Sequence, residues 1–190
     1  PVDMSRFIQL EGRLSLTGAN ADERHRIRDS RLAVTAAAIA HELIVTRGIG
    51  PLAGDAAIRD ALALYTPAAA AAAGGLDAGV VTRLAGELAA AGPKGLALAG
   101  GPASESGTGV ALELAVILIN LSLSGYGGGL FDDDLAWPLA HGGVHALTAL
   151  AADMRAGTIK TLIVAGANPV YDAPAGVDFP AALAAVETVV

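Results

Sequence analysis

The sequence predicts an α/β fold: a layered, mostly parallel sheet with crossover helices, Rossmann-like in outline and continuous over residues 1–190. Three observations point there. Short apolar runs of strand character, "SRFIQLEG", "GLALAGG" and "TLIVAG", are spaced along the chain. Segments with apolar residues at helical spacing lie between them. The joins are rich in Gly, Pro, Asn and Asp. Alternation of this kind is how parallel strands and their crossover helices read in a sequence.

Ser5–Gly12 reads as the first strand and Leu14–Ile27 as a polar loop. Asp29 or Ser30 serves as N-cap for a helix to about Arg47, with Leu32, Ala36, Ile39, Ala40, Leu43 and Ile44 on one face. "RGIGPLAG" ends it, and a short helix follows over Asp55–Tyr65. Residues 66–76, with their run of alanines, read as a low-complexity join, either helical or flexible. Asp77 caps a helix that turns Val80, Val81, Leu84 and Leu88 inward and stops at Gly92 and Pro93. Gly95–Gly101 reads as a short buried strand. The next helix, capped by Ser104 or Ser106, runs to about Ser124 and is apolar nearly all round, the pattern of a helix buried on most sides. Gly125–Phe131 is a flexible connection with room for a short strand. A helix over Val144–Gly157, a strand over Thr161–Gly166, a helix over Asp178–Val186 with Pro180 in its first turn, and an opening strand at Thr188–Val190 complete the order. The final "ETVV" reads as a strand cut short, so the chain is expected to be a piece of a longer protein.

Composition excludes several function classes. Twelve Lys and Arg against nineteen Asp and Glu give a formal charge of −7, which disfavours nucleic acid as a partner. With no Cys there is no disulfide, no thiolate metal site and no Cys-held iron–sulfur cluster in these residues. The most apolar stretch, Leu114–Gly125, is too short to cross a bilayer, so no direct membrane insertion is expected.

Ligands on open parallel sheets sit beyond the carboxyl ends of the strands, which selects the loops Gly100–Ser106 and Gly166–Pro174. The glycines of "AGGPASESGTG", Gly100 and Gly101 first, could bring backbone N–H groups to a phosphate. The spacing matches neither a dinucleotide fingerprint nor a P-loop, and a plain turn explains it as well. His141 and His145 stand four apart like helical metal ligands, but two glycines separate them and no third ligand is evident. Asp132, Asp133 and Asp134 are adjacent rather than alternating, the pattern of a solvated acidic loop. No metal site is predicted, and nothing in composition or spacing indicates catalysis. In "GANPVYDAP", Gly166 permits a left-handed turn, Pro169 stiffens it, and Asn168 and Asp172 offer the groups that recognise a purine-like edge. The plainer reading is a strand-to-helix turn in which Asn168 and Asp172 bond their own backbone.

Two stretches, Glu11–Ile44 and Leu150–Val190, together resemble the molybdopterin oxidoreductase superfamily. The closer resemblance is to the molybdopterin-like part of the large iron–sulfur subunit of alternative complex III, among the Tat-variant-translocated molybdopterin oxidoreductases. "TGANAD" with the arginines that follow (Thr17–Arg26) is similar to that family's second strand-loop-helix, and Ala165–Pro174 to its asparagine-proline loop. Gly92–Asn120 is similar, less specifically, to the strand and helix between them.

In active members the loop matching Gly166–Pro169 lies near the guanosine end of a molybdopterin guanine dinucleotide. The resemblance therefore implies Gly166, Asn168, Pro169, Asp172, Gly100, Gly101 and Asp29 as a vestigial dinucleotide surface. The helix matching Asp29–Ile44 would open on a Gly-Thr-Asp turn. This chain has "IRDSRLA", keeping only the carboxylate of Asp29. A vacant, non-catalytic domain follows, with no cofactor in this segment. Iron–sulfur clusters would lie in a separate domain of the parent. Partners would be the other domains of its subunit and the other subunits of a membrane-attached quinol-oxidising complex, on the periplasmic side. The alternatives are a molybdopterin guanine dinucleotide-binding domain of an active enzyme, and the similar vacant domain of the respiratory NADH dehydrogenase large subunit. Weak self-association is expected through Ala68–Gly75 and the edge ending at Val190, neither of which carries a guarding charge.

Overall fold

The computed structural model of the chain describes residues 4–123 and 143–190. The connection after Ser124, the three aspartates and His141 lie outside the described residues. The chain divides into two compact units, one holding residues 4–123 and the other 143–190. Both combine helices with one pair of parallel strands, so the protein is mixed α/β and mainly helical.

In the first unit β1 (Ile8–Glu11) pairs parallel with β2 (Glu23–Arg26), Leu10 opposite His25, across a crossover that holds only the short α1 (Leu16–Ala19). Reading Leu14–Ile27 as loop is therefore corrected. "ERHR" has no apolar alternation, and β2 is held by ion pairs. Glu23 binds Arg83, Arg6 and His25, while Arg24 turns to Glu11.

The core gathers on α2 (Leu32–His41), whose residues from Thr35 to His41 are all buried. Alanines on this helix allow close approach of α6 (Gly109–Ser122), α4 (Pro67–Ala72) and α5 (Ala78–Ala91). A single π-turn, Glu42–Thr46, prolongs α2. Arg59 of α3 (Ala56–Leu62) donates to the carbonyls of Ile44 and Val45 at that end and also to Ala53. The Ala-rich stretch at 66–76 contributes α4, capped by Thr66 and anchored by the fully buried Ala70. Asp77 caps α5 through Gly79 N–H, as its sequence implies.

Three expectations fail here. Gly95–Gly101 is not a paired strand: the backbone N–H and C=O of Ala97 both bond the side chain of Asn120, at 2.9 and 2.8 Å. Nor is α6 buried on most sides. Leu112, Ala115, Val116 and Ile119 face the core, but Val110, Leu114 and Ile117 form an exposed stripe on the other face. Neither predicted serine caps α6 at its N-cap, which is Thr108; Ser104 Oγ reaches Glu113 instead.

In the second unit β3 (Thr161–Leu162) and β4 (Thr188–Val189) pair parallel, and Val164 N–H to Val190 C=O extends the ladder. α7 (Gly143–Arg155) and α9 (Phe179–Leu183) pack together through Ala151, Met154, Phe179 and Ala182. Leu162 packs on this core, while Ile163 and Val190 are both 72% exposed.

Candidate functional site

The residues singled out by sequence fall into two groups. Asp29, Gly100 and Gly101 belong to the first unit, beyond the carboxyl ends of β1 and β2. The turn Asp29–Arg31 leads into α2 and lies against the turn Gly101–Ala103, so Asp29 and Gly101 belong to neighbouring turns. Gly101 takes φ +67°, the left-handed geometry that glycine allows, whereas Gly100 is extended. Asp29 Oδ1 accepts from Gly12 N–H at 3.2 Å and ties the end of β1 to the start of α2.

The most enclosed charge nearby is one that sequence reading missed. Glu11, the last residue of β1, is buried. Its carboxylate accepts from Arg24, from Ser15 Oγ and from Ser15 N–H. The Arg24 guanidinium, then the Ser15 hydroxyl, hold its carboxyl below the usual carboxylate range. A Cβ at Gly18 would collide with this carboxylate and push the Glu11 side chain aside. The bonds of Glu11 tie the end of β1 to Ser15, the N-cap of α1, and to Arg24 of β2. The sequence offers no signal for this pairing, since Glu11 and Arg24 meet only when β1 and β2 align. A second polar set, the buried His41 and Glu42 with the exposed Thr46, closes the π-turn: Thr46 Oγ1 donates to Glu42 Oε1 at 3.0 Å, and His41 Nδ1 lies 3.4 Å from the same hydroxyl. Polar residues in the otherwise apolar run "AAIAHELIV" were the readable hint.

Gly166, Asn168, Pro169 and Asp172 form one turn in the second unit. Gly166 takes φ +65° with open space where a Cβ would stand. Pro169 starts α8 (Pro169–Asp172), and Asn168 C=O accepts from both Tyr171 N–H and Asp172 N–H at 2.9 Å. The side chains of Asn168 and Asp172 are exposed and make no hydrogen bond among the described residues. The expectation that they bond their own backbone is corrected: the backbone and Pro169 hold this turn. A cleft of about 300 Å³ lies beside it, lined by Val170, Ala173, Pro174, Asp178 and Pro180. Asp178 is left-handed, with φ 46° and ψ 55°, and Arg155 donates to its carbonyl and to that of Val177, at 2.7 and 2.6 Å.

Set against a molybdopterin guanine dinucleotide, the residues that the resemblance implies divide between the two units, Asp29, Gly100 and Gly101 in one and Gly166, Asn168, Pro169 and Asp172 in the other. The cleft has the volume of a small-ligand pocket at its lower limit, and polar and apolar groups share its lining about equally. One Asp29 oxygen is engaged by Gly12. No cluster of three or more potential metal ligands occurs among the described residues. His145, near the start of α7, is exposed. No family model, curated protein or solved structure matches the chain.

Proposed function

We propose that this chain is a non-catalytic, layered molybdopterin-like α/β domain. It serves as a scaffold in an iron–sulfur oxidoreductase subunit of a membrane-attached, quinol-oxidising respiratory complex, on the periplasmic side. The observation that supports the reading best is the apolar surface left outward in the second unit. Parallel sheets are normally covered on both faces. Here the helices cover one face, and Ile163 and Val190 stand open on the other. A domain that works among further domains carries such surfaces. The resemblance of Thr17–Arg26 and Ala165–Pro174 supplies the family part of the proposal. Among the described residues no helix is long and apolar enough to cross a membrane.

One observation favours the rival reading, an active dinucleotide-binding domain: Asn168 and Asp172 keep their polar groups unspent on one turn. The two readings separate in the assembled complex. With Asn168→Ala and Asp172→Ala, the scaffold reading expects unchanged quinol oxidation. Loss of electron transfer with assembly intact would overturn it in favour of a binding site.

A further inference from the structure

We propose that Leu96–Leu98 is an open strand edge along which two copies of this chain pair antiparallel about a two-fold axis at Ala97. This goes beyond the scaffold reading and does not rest on it. Side chains alternate along the segment: Gly95 is buried, Leu96 exposed, Ala97 half-buried, Leu98 exposed and Ala99 half-buried. Gly95 and Gly100 at its ends are extended, and Ala97 and Ala99 pack on the core. The period of two is that of a β-strand.

What completes the segment on one side is a side chain. Asn120 takes both the N–H and the C=O of Ala97, as a neighbouring strand would. In extended backbone the groups of successive residues point to opposite edges. The N–H and C=O of Leu96 and Leu98 therefore project away from Asn120, and among the described residues they bond nothing. Unpaired groups in strand register select an extended polypeptide as their partner.

The same geometry selects a second copy. With Ala97 on the axis, Leu96 of one copy faces Leu98 of the other. Each such pair exchanges two backbone bonds, giving four in all. The match is self-complementary and closed, so it yields dimers rather than fibres. Leu98 is 77% exposed and Leu96 43%, with no charged residue between Gly95 and Gly101 to repel a partner. Three residues a side form a small interface, so the dimer is weak.

Sedimentation across a concentration series, joined to amide hydrogen exchange, tests this. A monomer–dimer equilibrium is expected. The amides of Leu96 and Leu98 should slow as concentration rises, while that of Ala97, already donated to Asn120, stays slow throughout. Leu98→Pro removes an outward N–H and leaves the Asn120 bonds in place. Losing two of the four bonds should weaken the dimer by about tenfold or more. Leu98→Lys, which keeps the backbone but charges the edge, should also dissociate it, and circular dichroism checks that both variants stay folded. A monomer at every concentration overturns the proposal. So does a dimer indifferent to both substitutions but lost on Val189→Lys, or protection of Leu96 and Leu98 that does not depend on concentration.

Discussion

Replacing Asn120 with Ala isolates the contact that stands in for a missing strand. Asn120 is 2% exposed and lies on α6, with its amide bridging both backbone groups of Ala97. The substitution deletes two hydrogen bonds, each worth about 1 kcal/mol net. It also leaves the Ala97 N–H and C=O facing a helix that cannot answer them, at about 1–3 kcal/mol for each group shut off from water. Ala97 is only half-buried, so water recovers part of that cost. The total comes to about 2–4 kcal/mol. Urea denaturation followed by far-UV circular dichroism would read it, and exchange of the Ala97 amide would locate it. Asn120→Asp should recover little, because a carboxylate can accept from Ala97 N–H but cannot donate to its C=O. A loss below about 0.5 kcal/mol, or an Ala97 amide that exchanges no faster, would refute the claim that Asn120 holds this segment.

Gly18→Ala should cost about 1–3 kcal/mol in the same assay, since the new methyl displaces the Glu11 carboxylate from Arg24 and Ser15. Glu23 should make the first unit acid-sensitive. The Arg83 guanidinium lowers its carboxyl from 4.5 to about 2 against burial, with His25 and Arg6 adding to the effect. A depressed folded pKa gives stability that is present above about 4.5 and lost as pH falls toward about 2. Glu23→Gln should therefore flatten the pH dependence of stability in that window, and an unchanged slope would exclude Glu23 as its source. Asn168→Ala and Asp172→Ala should each change stability by less than about 0.5 kcal/mol, because neither side chain bonds the turn. Phe179→Ala, at a side chain 2% exposed in the second unit's core, should cost about 3–5 kcal/mol there.

Helices with a polar face and a cap were legible in the sequence. Asp77 and the spacing of Val81, Leu84 and Leu88 locate α5 closely. The length of α6 was legible as well, but its outward face was not. A helix apolar all round carries no mark of which side meets water, and only packing on α2 picks out Val110, Leu114 and Ile117 as the exposed row. β2 was invisible because its pairing depends on charges brought from elsewhere in the chain; Arg83 stands 60 residues from Glu23. Gly95–Gly101 has the apolar run of a short buried strand, yet its partner is a side chain 23 residues on, which no local pattern encodes. The turn at Gly166–Pro169 followed from glycine and proline chemistry. That Asn168 and Asp172 point into solvent did not, since both residue types bond their own backbone about as readily.

Molybdenum and pterin content of the protein isolated from its native host tests the central claim most directly. The scaffold account predicts neither in stoichiometric amount. One molybdenum and its pterin per polypeptide would contradict it, and would make the turn at Asn168 and Asp172 a working dinucleotide site.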